Sequence, residues 1–585
     1  MKRSVELDIL KGLAIISVVL YHIGLLSPGF LGVDIFLVIN GYLVTKGLLS
    51  RLDSQSFNYW QWMCKRLARL WPLIVAAVFV SLCIGYFLML PDDLENLGES
   101  AVASSFGAQN ILSAITTRNY WDAGNDFKPL MHLWYVGILF QCYIVYPLIL
   151  IISYKLGKDK HKVSMAVIAV LSLISLTMCL LPIVGPFDKF YYLPFRFYEI
   201  GVGGLIAFAS LRQTSKDKSS AHNKDWAILI AYLVVLFLLI YPLDGFSNVV
   251  KSMLVCFLTG VCVLYSTILG GAKIFQRQKI WHVFVILGMA SYSIYIWHQV
   301  IFAYYRYVVQ PNPQTVDYII KLSIAAVVSF LSYRYIEKPL SGLKNSKSVL
   351  YPVAAMVAIA SLFGGYLYMK AGVVRDVPEL DIYTNNIHRG MHAEYCDRVY
   401  SLDRPFENNG KKKVLVVGNS YARDFCNVII EAGLQDSIDL TYMYFVDKLK
   451  DPTSQQIERA KEADIIFIRG ASRFDGIALE KQFGISTKNF GGSNGYNYNR
   501  RFWSDYYNLR MEMVPGVKEE YLEEKNFWGE GRMVDFIAPV VDDNWKMPVF
   551  TDTHKYISQD CGHLTKNGAA YYAKIFNLCE ILGIN

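Results

Sequence analysis

Two short motifs in the last third of the chain carry residues suited to nucleophilic catalysis. The run Val-Leu-Val-Val-Gly-Asn-Ser ends on Ser420, and the run Asp-Cys-Gly-His joins Asp560 to His563. A serine hydroxyl is a weak nucleophile unless a base removes its proton. His563 is the candidate base, and Asp560 can hold its imidazole in the required tautomer. The two motifs predict a hydrolase-type catalytic set; the alternative is that Ser420 only caps a helix.

Such a serine needs a strand, a tight turn and a helix to position it. The apolar residues 414–417 predict a buried strand, and Ser420 opens a helix that ends near residue 432. At that helix N-terminus the amide groups and the positive end of the dipole stabilise a developing oxyanion. A strand at 463–468, a short strand at 548–550 and a closing helix at 564–581 are predicted to complete a small α/β sandwich.

The loops after the predicted strands contain two further candidate oxyanion donors. Gly470 follows the second strand, and Asn489 lies in a polar loop, although an ordinary turn residue is the alternative for Asn489. His554 competes with His563 as the base, but it lacks an aspartate three residues earlier. The aromatic side chains between residues 496 and 528 are interpreted as core or membrane-facing contacts in preference to sugar-stacking platforms.

Composition places most of the chain in a membrane. The 585 residues are 54% hydrophobic and 14% aromatic, which is too apolar for an ordinary soluble enzyme. Windows of about 20 apolar residues predict eleven spans. They lie near 7–26, 32–49, 71–90, 132–153, 163–183, 192–210, 226–243, 250–269, 281–303, 316–333 and 350–369.

The charges in the loops between these windows predict the orientation. Roughly 21 Lys and Arg residues fall on one side and roughly 4 on the other, and the basic side is cytoplasmic by the positive-inside rule. We therefore expect a bacterial inner-membrane protein with a cytoplasmic N-terminus and a periplasmic or extracellular C-terminal domain. The net charge of +8 then reflects orientation, and no nucleic-acid partner is expected.

Ionisable residues within the predicted spans require a partner, a water-filled cavity or a function. His22, His132 and His298 lie on three separate spans and are expected at a similar outer level. A polar side chain satisfied by a neighbouring helix is the alternative for each. Arg66 and Arg69 share one helical face and can clamp phosphates, with headgroup contact as their alternative.

A series of motifs in the first 342 residues resembles the membrane acyltransferase-3 family. The resemblance lies in their order and spacing along residues 3 to 342. The motifs are Arg3-Ser-Val-Glu6-Leu-Asp8-Ile-Leu-Lys11-Gly12 with His22, Gly32-Val33-Asp34-Ile35-Phe36, Arg66-x-x-Arg69, His132-Leu133-Trp134, Arg196-Phe-Tyr-Glu199, Ser291 to His298, and Tyr333 to Pro339.

This resemblance implies a ten-helix acyltransferase that takes acetyl or a similar group from cytoplasmic acyl-CoA and passes it to an extracytoplasmic glycan. It implies that His22 is catalytic and that Lys11, Arg66 and Arg69 bind the donor. Further membrane-site candidates are Glu6, Asp8, His132, Arg196, Glu199 and His298. No metal and no permanently bound cofactor are expected. Lys11 replaces the family's usual arginine, and Asn40 replaces a common serine.

The C-terminal motifs together resemble the SGNH hydrolase and acyltransferase fold. The usual Gly-Asp-Ser-His opening is Gly-Asn-Ser-Tyr here, which keeps Ser420 but changes both of its neighbours. In this fold the resemblance assigns Ser420, His563 and Asp560 to the catalytic set. Cys396, Cys426, Cys561 and Cys579 lie in the predicted exported part, where three disulfide pairings are open.

The predicted architecture is therefore a polytopic α-helical membrane domain followed by an SGNH-like α/β sandwich. Its predicted parts are a transmembrane acyltransferase domain at 1–342, a linking helix and linker at 343–410, and a serine domain at 411–585. The predicted function is O-acylation, most simply O-acetylation, of an envelope polysaccharide. The alternatives are a membrane-anchored carbohydrate esterase and a transporter with an accessory domain, for which inverted repeats with broken helices would be expected.

Overall fold

Two units make up the protein in a computed structural model. The first unit comprises Met1–Gly85, Asn96–Tyr305 and Pro313–Tyr366, and the second comprises Tyr86–Glu95, Arg306–Asn312 and Leu367–Asn585. The residues that the structure describes are 4–116, 124–212, 221–268, 275, 279–309, 314–340, 346–386, 391–444, 452–490, 494–514 and 516–584. The domain boundaries given above stay predictions.

All of the regular secondary structure in the described residues of the first unit is helical. Its longer helices, some of which continue beyond the unit, are Val5–His22, Gly32–Asp53, Tyr59–Leu88, Pro91–Ser105, Trp134–Lys155, Lys160–Leu180, Leu193–Arg212, Ala221–Ile240, Asn248–Ile268, Lys279–Met289, Ser291–Val308, Thr315–Ser332 and Lys347–Met369. Shorter helices are Gln109–Thr116, Pro186–Tyr191 and Lys338–Leu340. A helix therefore lies at each predicted window.

The predicted number of eleven spans is not matched. Within the described residues, seven helices are long and apolar enough to cross a membrane, or eight if one bent pair forms a single span. That pair, Lys279–Met289 and Ser291–Val308, is bent by 70°. Val5–His22 is not among these apolar helices because it contains Glu6, Asp8 and Lys11. Charged side chains that pack against neighbouring helices make a helix less apolar.

Small residues let two helices of this unit approach backbone to backbone. A Cβ on Gly12 would lie 2.1 Å from the carbonyl oxygen of Phe284, and one on Gly288 would lie 1.8 Å from that of Asp8. A side chain at either position would push Val5–His22 away from Lys279–Met289. Glycine contacts of this kind are common where membrane helices pack closely.

A parallel sheet organises the second unit. Its strands are β1 (Lys412–Gly418), β2 (Ile438–Tyr444), β3 (Ile465–Arg469), β4 (Gln482–Ile485) and β6 (Met533–Val534), in the order β2-β1-β3-β4-β6. All of the pairs in this sheet are parallel. A separate antiparallel pair joins β5 (Arg510–Glu512) to β7 (Lys546–Pro548).

Helices cover both faces of the parallel sheet. They include Ser420–Glu431, Ser454–Glu462, Val517–Trp528 and Lys566–Ile575; the unit also contains the shorter helices Met391–Asp397, Asn494–Tyr498 and Leu578–Leu582. Along β1, Val414 and Val416 belong to one buried cluster, whereas Leu415 and Val417 belong to another. Burial on both faces explains why β1 is a continuous apolar run instead of an alternating one.

Three of the predicted elements in this unit are placed correctly and two need correction. The strand at 414–417, the helix from Ser420 and the strand at 463–468 are present as β1, Ser420–Glu431 and β3. The predicted helix 564–581 is two helices, because Phe576 is extended where the first one ends. The predicted strand 548–550 is shifted to β7 and pairs with β5, outside the parallel sheet.

Candidate functional site

Ser420 stands at the carboxyl end of β1, at the start of its helix. Gly418 has φ +143°, and a Cβ there would lie 2.7 Å from the Cβ of Arg469 on β3. Glycine is therefore required for the turn between strand and helix. The N-cap of the helix is Asn419, whose side chain accepts from the amide of Tyr421 at 3.0 Å. Ser420 is thus free of the capping role that was its alternative.

A chain of two hydrogen bonds joins Ser420 to Asp560 through His563. The Ser420 hydroxyl lies 2.8 Å from Nε2 of His563, and Nδ1 of His563 lies 2.5 Å from Oδ2 of Asp560. Ser420 and His563 are each only 4% exposed. Because the carboxylate accepts the Nδ1 proton, Nε2 is left as the acceptor for the serine proton, which is the arrangement that activates a serine.

The Asp560 loop is held by its own side chain. Oδ1 of Asp560 accepts from the amides of Gly562 at 2.9 Å and of His563 at 2.7 Å. The three-residue spacing of Asp and His therefore has a structural reason, since one oxygen shapes the turn while the other orients the imidazole. His554, the rival base, instead stacks on Tyr507 with the ring centroids 4.1 Å apart.

The two predicted oxyanion donors follow strands that end at the same edge of the sheet as β1. Gly470 comes directly after β3 and has φ +100°. Its carbonyl accepts a hydrogen bond from the indole of Trp528 at 3.0 Å, and its amide is the predicted oxyanion donor. Asn489 follows β4 and is half-buried. Carboxyl ends of parallel strands meet at one edge, where ligands bind in open α/β sheets. The roles of both residues stay predictions.

A buried ion pair that the sequence analysis missed braces the serine and histidine segments. Nζ of Lys488 lies 2.7 Å from Oδ2 of Asp424, and both side chains are 0% exposed. The same Oδ2 accepts from the amide of Leu564, next to His563, at 2.9 Å. Asp424 is one helical turn after Ser420, so it ties the Ser420 helix to the chain that carries His563.

Replacing Lys488 with methionine will destabilise the second unit. Asp424 would be left as a buried carboxylate without its cation, at a cost of about 3–5 kcal/mol. Hydrogen exchange of the β1 amides in the full-length protein measures this loss, and the exposed Lys461→Met is the matched control. Adding Asp424→Leu to Lys488→Met should recover part of the protection. Unchanged exchange in Lys488→Met would contradict the bracing role.

The same lysine gives the stability of the second unit a pH dependence. Burial lowers the pKa of Lys488 to about 8, although Asp424 opposes the shift. Between about pH 8 and the ordinary value of 10.5, the unfolded chain therefore binds more protons at this site than the folded one. Stability must rise with pH in that window. We expect the rise in wild type and its loss in Lys488→Met, measured by hydrogen exchange corrected for intrinsic rates.

A basic cavity in the first unit collects all three predicted donor-binding residues. Lys11, Arg66 and Arg69 line a cavity of about 390 Å³, together with Asp8 and Glu337. Its remaining lining is mixed: aromatic and polar residues include Asn40, Tyr135, Tyr143, Ser291, Tyr292, Tyr295, Tyr333 and Lys338, and most of the others are aliphatic. Arg66 and Arg69 also line an adjoining cavity of about 230 Å³ with Arg51 and Lys65. Cationic groups at this density suit a polyanionic ligand.

The three histidines come together in the same unit. The ring centroids of His22 and His298 are 5.0 Å apart, and those of His132 and His298 are 5.2 Å apart. Nδ1 of His298 lies 2.7 Å from the carbonyl of Tyr295 and donates a hydrogen bond to it, so Nε2 carries no proton in the neutral ring. His298 and His132 are buried, whereas His22 is half-buried and is the most accessible of the three.

Tyr295 links the basic cavity to the histidines, and the sequence analysis missed it. It lines the cavity, its ring lies 5.3 Å from His132 and 5.6 Å from His298, and its hydroxyl donates to the carbonyl of His132. The signal was present in the motif at 291–298, where a tyrosine precedes the histidine by three residues. The Tyr295 side chain therefore lies between the basic cavity and the three histidines.

The remaining membrane candidates lie away from the cavity lining. Arg196 pairs with Asp34 at 2.7 Å and with Glu199 at 3.1 Å, in a buried cluster that ties Leu193–Arg212 to Gly32–Asp53. Glu6 is buried and accepts from the hydroxyl of Ser4 at 2.7 Å. Paired charges in these positions hold helices together, which is a structural role and the alternative to a role in the site. A site role for them stays a prediction.

No disulfide joins the four cysteines of the C-terminal part, all of which lie in the described residues. Cys396, Cys426 and Cys561 are buried and Cys579 is exposed. Among the residues that the structure describes, no group of histidine, cysteine and carboxylate side chains is arranged to hold a metal ion.

Comparison with known proteins assigns a family to the helical part. Residues 4–334, more than half of the chain, match the family model described as "Acyltransferase domain", that of the acyltransferase-3 proteins. A putative O-acetyltransferase of Staphylococcus aureus strain MRSA252 is 29% identical over 430 residues, which cover 69% of each chain.

Other relatives match over a shorter length. The O-acetyltransferase OatA of Staphylococcus aureus strain NCTC 8325 is 29% identical over 354 residues, which cover 57% of this chain and 56% of the relative. A putative O-acetyltransferase of strain MSSA476 is 29% identical over 358 residues, with 58% and 57% covered. This chain thus spans little more than half the length of these two relatives. No solved structure gives a significant match.

Proposed function

This chain belongs to the acyltransferase-3 family of multi-pass membrane proteins, and from that premise we propose that it O-acetylates an extracytoplasmic envelope polysaccharide. The observation that carries the proposal is the hydrogen-bonded chain Ser420–His563–Asp560 in a protein of that family. Its relatives named O-acetyltransferase support the choice of acetyl. An inner-membrane location with a cytoplasmic N-terminus and an exported second unit follows from the charge asymmetry of the loops.

The donor in this proposal is acetyl-CoA, bound from the cytoplasm at the basic cavity. Arg66 and Arg69 supply guanidinium groups that pair bidentately with phosphates, and Lys11 adds an ammonium. The aromatic wall contains Tyr135, Tyr143 and Tyr292 and suits the less polar arm of the donor. A volume of about 390 Å³ accommodates part of so large a molecule, with the rest in the adjoining basic cavity.

Acyl passage through the helical unit is assigned to His22. Its ring contacts His298, and Tyr295 connects this cluster with the donor cavity. A neutral imidazole can act as a base or as a transient nucleophile toward the thioester. Such a step solves a topological problem, since acyl-CoA stays in the cytoplasm while the glycan acceptor is outside.

The final transfer is assigned to the second unit. His563 removes the proton of Ser420 as the serine Oγ attacks the acyl carbonyl. The bond between the acyl group and its carrier then breaks, and the protonated His563 gives the proton to the departing carrier. A sugar hydroxyl then attacks the acyl-serine and gives its proton to His563, which returns it to Ser420. The amide of Ser420 and the candidates Gly470 and Asn489 stabilise the oxyanion in both halves.

The experiment that tests this function compares cells with and without the protein. NMR of alkali-labile acetyl groups on purified envelope polysaccharides should show a signal that disappears on deletion and returns with the wild-type gene. The polysaccharide that changes is then the acceptor. Unchanged acetylation on deletion would overturn the proposal, and increased acetylation on deletion would favour the esterase alternative.

Replacing Arg66 with glutamine will weaken donor binding. A charge-assisted hydrogen bond contributes about 1.5–3 kcal/mol, so the KM for acetyl-CoA should rise about 10- to 100-fold with a smaller change in kcat. Initial rates in membrane vesicles with a polysaccharide acceptor measure both constants. Lys155→Gln is the control, because Lys155 is exposed and lines neither of the two cavities. An unchanged KM for acetyl-CoA in Arg66→Gln, or an equal rise in both variants, would contradict donor binding by Arg66.

A further inference from the structure

An aromatic and basic turn on the second unit projects into open space. Phe502 is 83% exposed and Trp503 is 57% exposed, beside Arg500 and Arg501. These four residues, which we name the 500–503 turn, follow the helix Asn494–Tyr498. The tyrosines of that helix are buried, so the exposure of Phe502 and Trp503 is confined to the turn.

The turn is rigid enough to present these side chains. The guanidinium of Arg500 lies 4.3 Å from the ring centroid of Tyr496 and 4.7 Å from that of Trp503. The amide of Trp503 donates to the carbonyl of Arg500 at 2.8 Å. Arg501 stacks in the same way, 4.6 Å from the ring of Phe502. Stacked cations and rings hold each other in place, so little conformational freedom remains to be lost on binding.

The chain just before the turn is bonded to the end of a membrane span. Nδ2 of Asn499 donates to the carbonyl of Leu88 at 3.3 Å and to that of Tyr307 at 3.0 Å. Leu88 is the last residue of the candidate span Tyr59–Leu88. Arg375 reinforces this attachment by donating to the carbonyl of Met89 and to the hydroxyl of Tyr498. The residues before the turn are thus fixed beside the end of this apolar helix.

We infer that the 500–503 turn inserts into the headgroup region of the bilayer and gives the second unit a lipid contact of its own. Tryptophan favours this region because its ring is amphipathic, and phenylalanine reaches the acyl chains beneath it. Arg500 and Arg501 complement the lipid phosphates. A glycan is the weaker candidate, since Phe502 is fully apolar and the attachment through Asn499 places the turn at the membrane boundary.

The first test replaces Phe502 with the photocrosslinker p-benzoylphenylalanine in the full-length protein. The protein is placed in nanodiscs of phosphatidylethanolamine and phosphatidylglycerol, irradiated, digested and examined by mass spectrometry. We expect phospholipid adducts on the peptide that contains position 502. The same substitution at Phe527, a partly exposed ring on the helix Val517–Trp528, is the control and should give none.

Three outcomes would overturn the inference. They are the absence of lipid adducts at position 502, equal adducts at positions 502 and 527, and adducts with added envelope polysaccharide in place of lipid. The last outcome would make the turn an acceptor-binding surface.

A second measurement does not require the crosslinker. Brominated lipids quench tryptophan fluorescence by contact, and the wild-type protein and Trp503→Phe differ in one of 11 tryptophans. Quenching should be smaller in Trp503→Phe if the indole lies in the bilayer. Identical quenching in the two proteins would contradict the inference, and because Trp503 is exposed, its substitution leaves the core of the unit intact.

Discussion

Replacing Ser420 with alanine will abolish acyl transfer to polysaccharide while the protein accumulates normally. The hydroxyl is the only group removed, and its Oγ is the atom that lies 2.8 Å from Nε2 of His563. Loss of the nucleophile of such a set typically lowers turnover by roughly 10⁴- to 10⁶-fold. The measurement is transfer to the acceptor in vesicles, together with NMR of polysaccharide from cells that carry the variant.

A control substitution and a second measurement test whether the effect is specific to Ser420. Ser437→Ala changes an exposed serine of the same unit and should leave transfer unchanged. Mass spectrometry after brief exposure of the wild-type protein to 4-nitrophenyl acetate should locate the acetyl group on the peptide that contains Ser420. Transfer that survives in Ser420→Ala would assign the whole reaction to the helical unit and leave the serine without the proposed role.

Replacing His22 with glutamine separates the two halves of the proposed reaction. Loss of a general base typically costs about 10²- to 10⁴-fold, and we expect a loss in that range for transfer from acetyl-CoA. Hydrolysis of 4-nitrophenyl acetate by Ser420 should stay at the wild-type level, because His22 belongs to the first unit and Ser420 to the second. The two rates are measured on the same vesicle preparation.

The control for this substitution is His282→Gln. His282 is exposed on the helix Lys279–Met289, in the same unit as His22 but outside the histidine cluster. It should leave both rates unchanged. A parallel loss of both rates in His22→Gln would point to misfolding, which a melting curve of the purified protein distinguishes. Full transfer activity in a folded His22→Gln would overturn the assignment of acyl passage to this residue.

The predicted fold was most accurate where several local signals agreed. The run 414–417 is short, rich in valine and followed by Gly418, which together favour a strand buried on both faces, and β1 is such a strand. β2 was missed because Asp439 and Thr441 interrupt its pattern. Both are buried, and Arg404 neutralises Asp439 at 2.9 Å, a contact that depends on a chain segment 35 residues away.

For a related reason, the predicted number of spans exceeds the number of helices in the described residues that are long and apolar enough to cross a membrane. Apolar windows locate helices well, but they do not report which polar residues are satisfied within the bundle. Arg196 and Glu199 lie in a window that was predicted to span the membrane, and their partner Asp34 is on another helix. Charges paired in this way are buried against other helices. A helix that carries them can therefore belong to the bundle although its own sequence is not apolar enough to be recognised as a membrane span.

The sequence by itself determined the membrane character and the family, and it predicted Ser420, His563 and Asp560 as a catalytic set, because each depends on residue type and short-range spacing. Only the tertiary structure decided which distant residues meet. It brought Ser420 within hydrogen-bonding distance of a histidine 143 residues away, joined Lys488 to Asp424, and set Tyr295 beside the histidines. Contacts between segments far apart in the chain follow from the packing of whole helices and strands, and no local pattern encodes that packing.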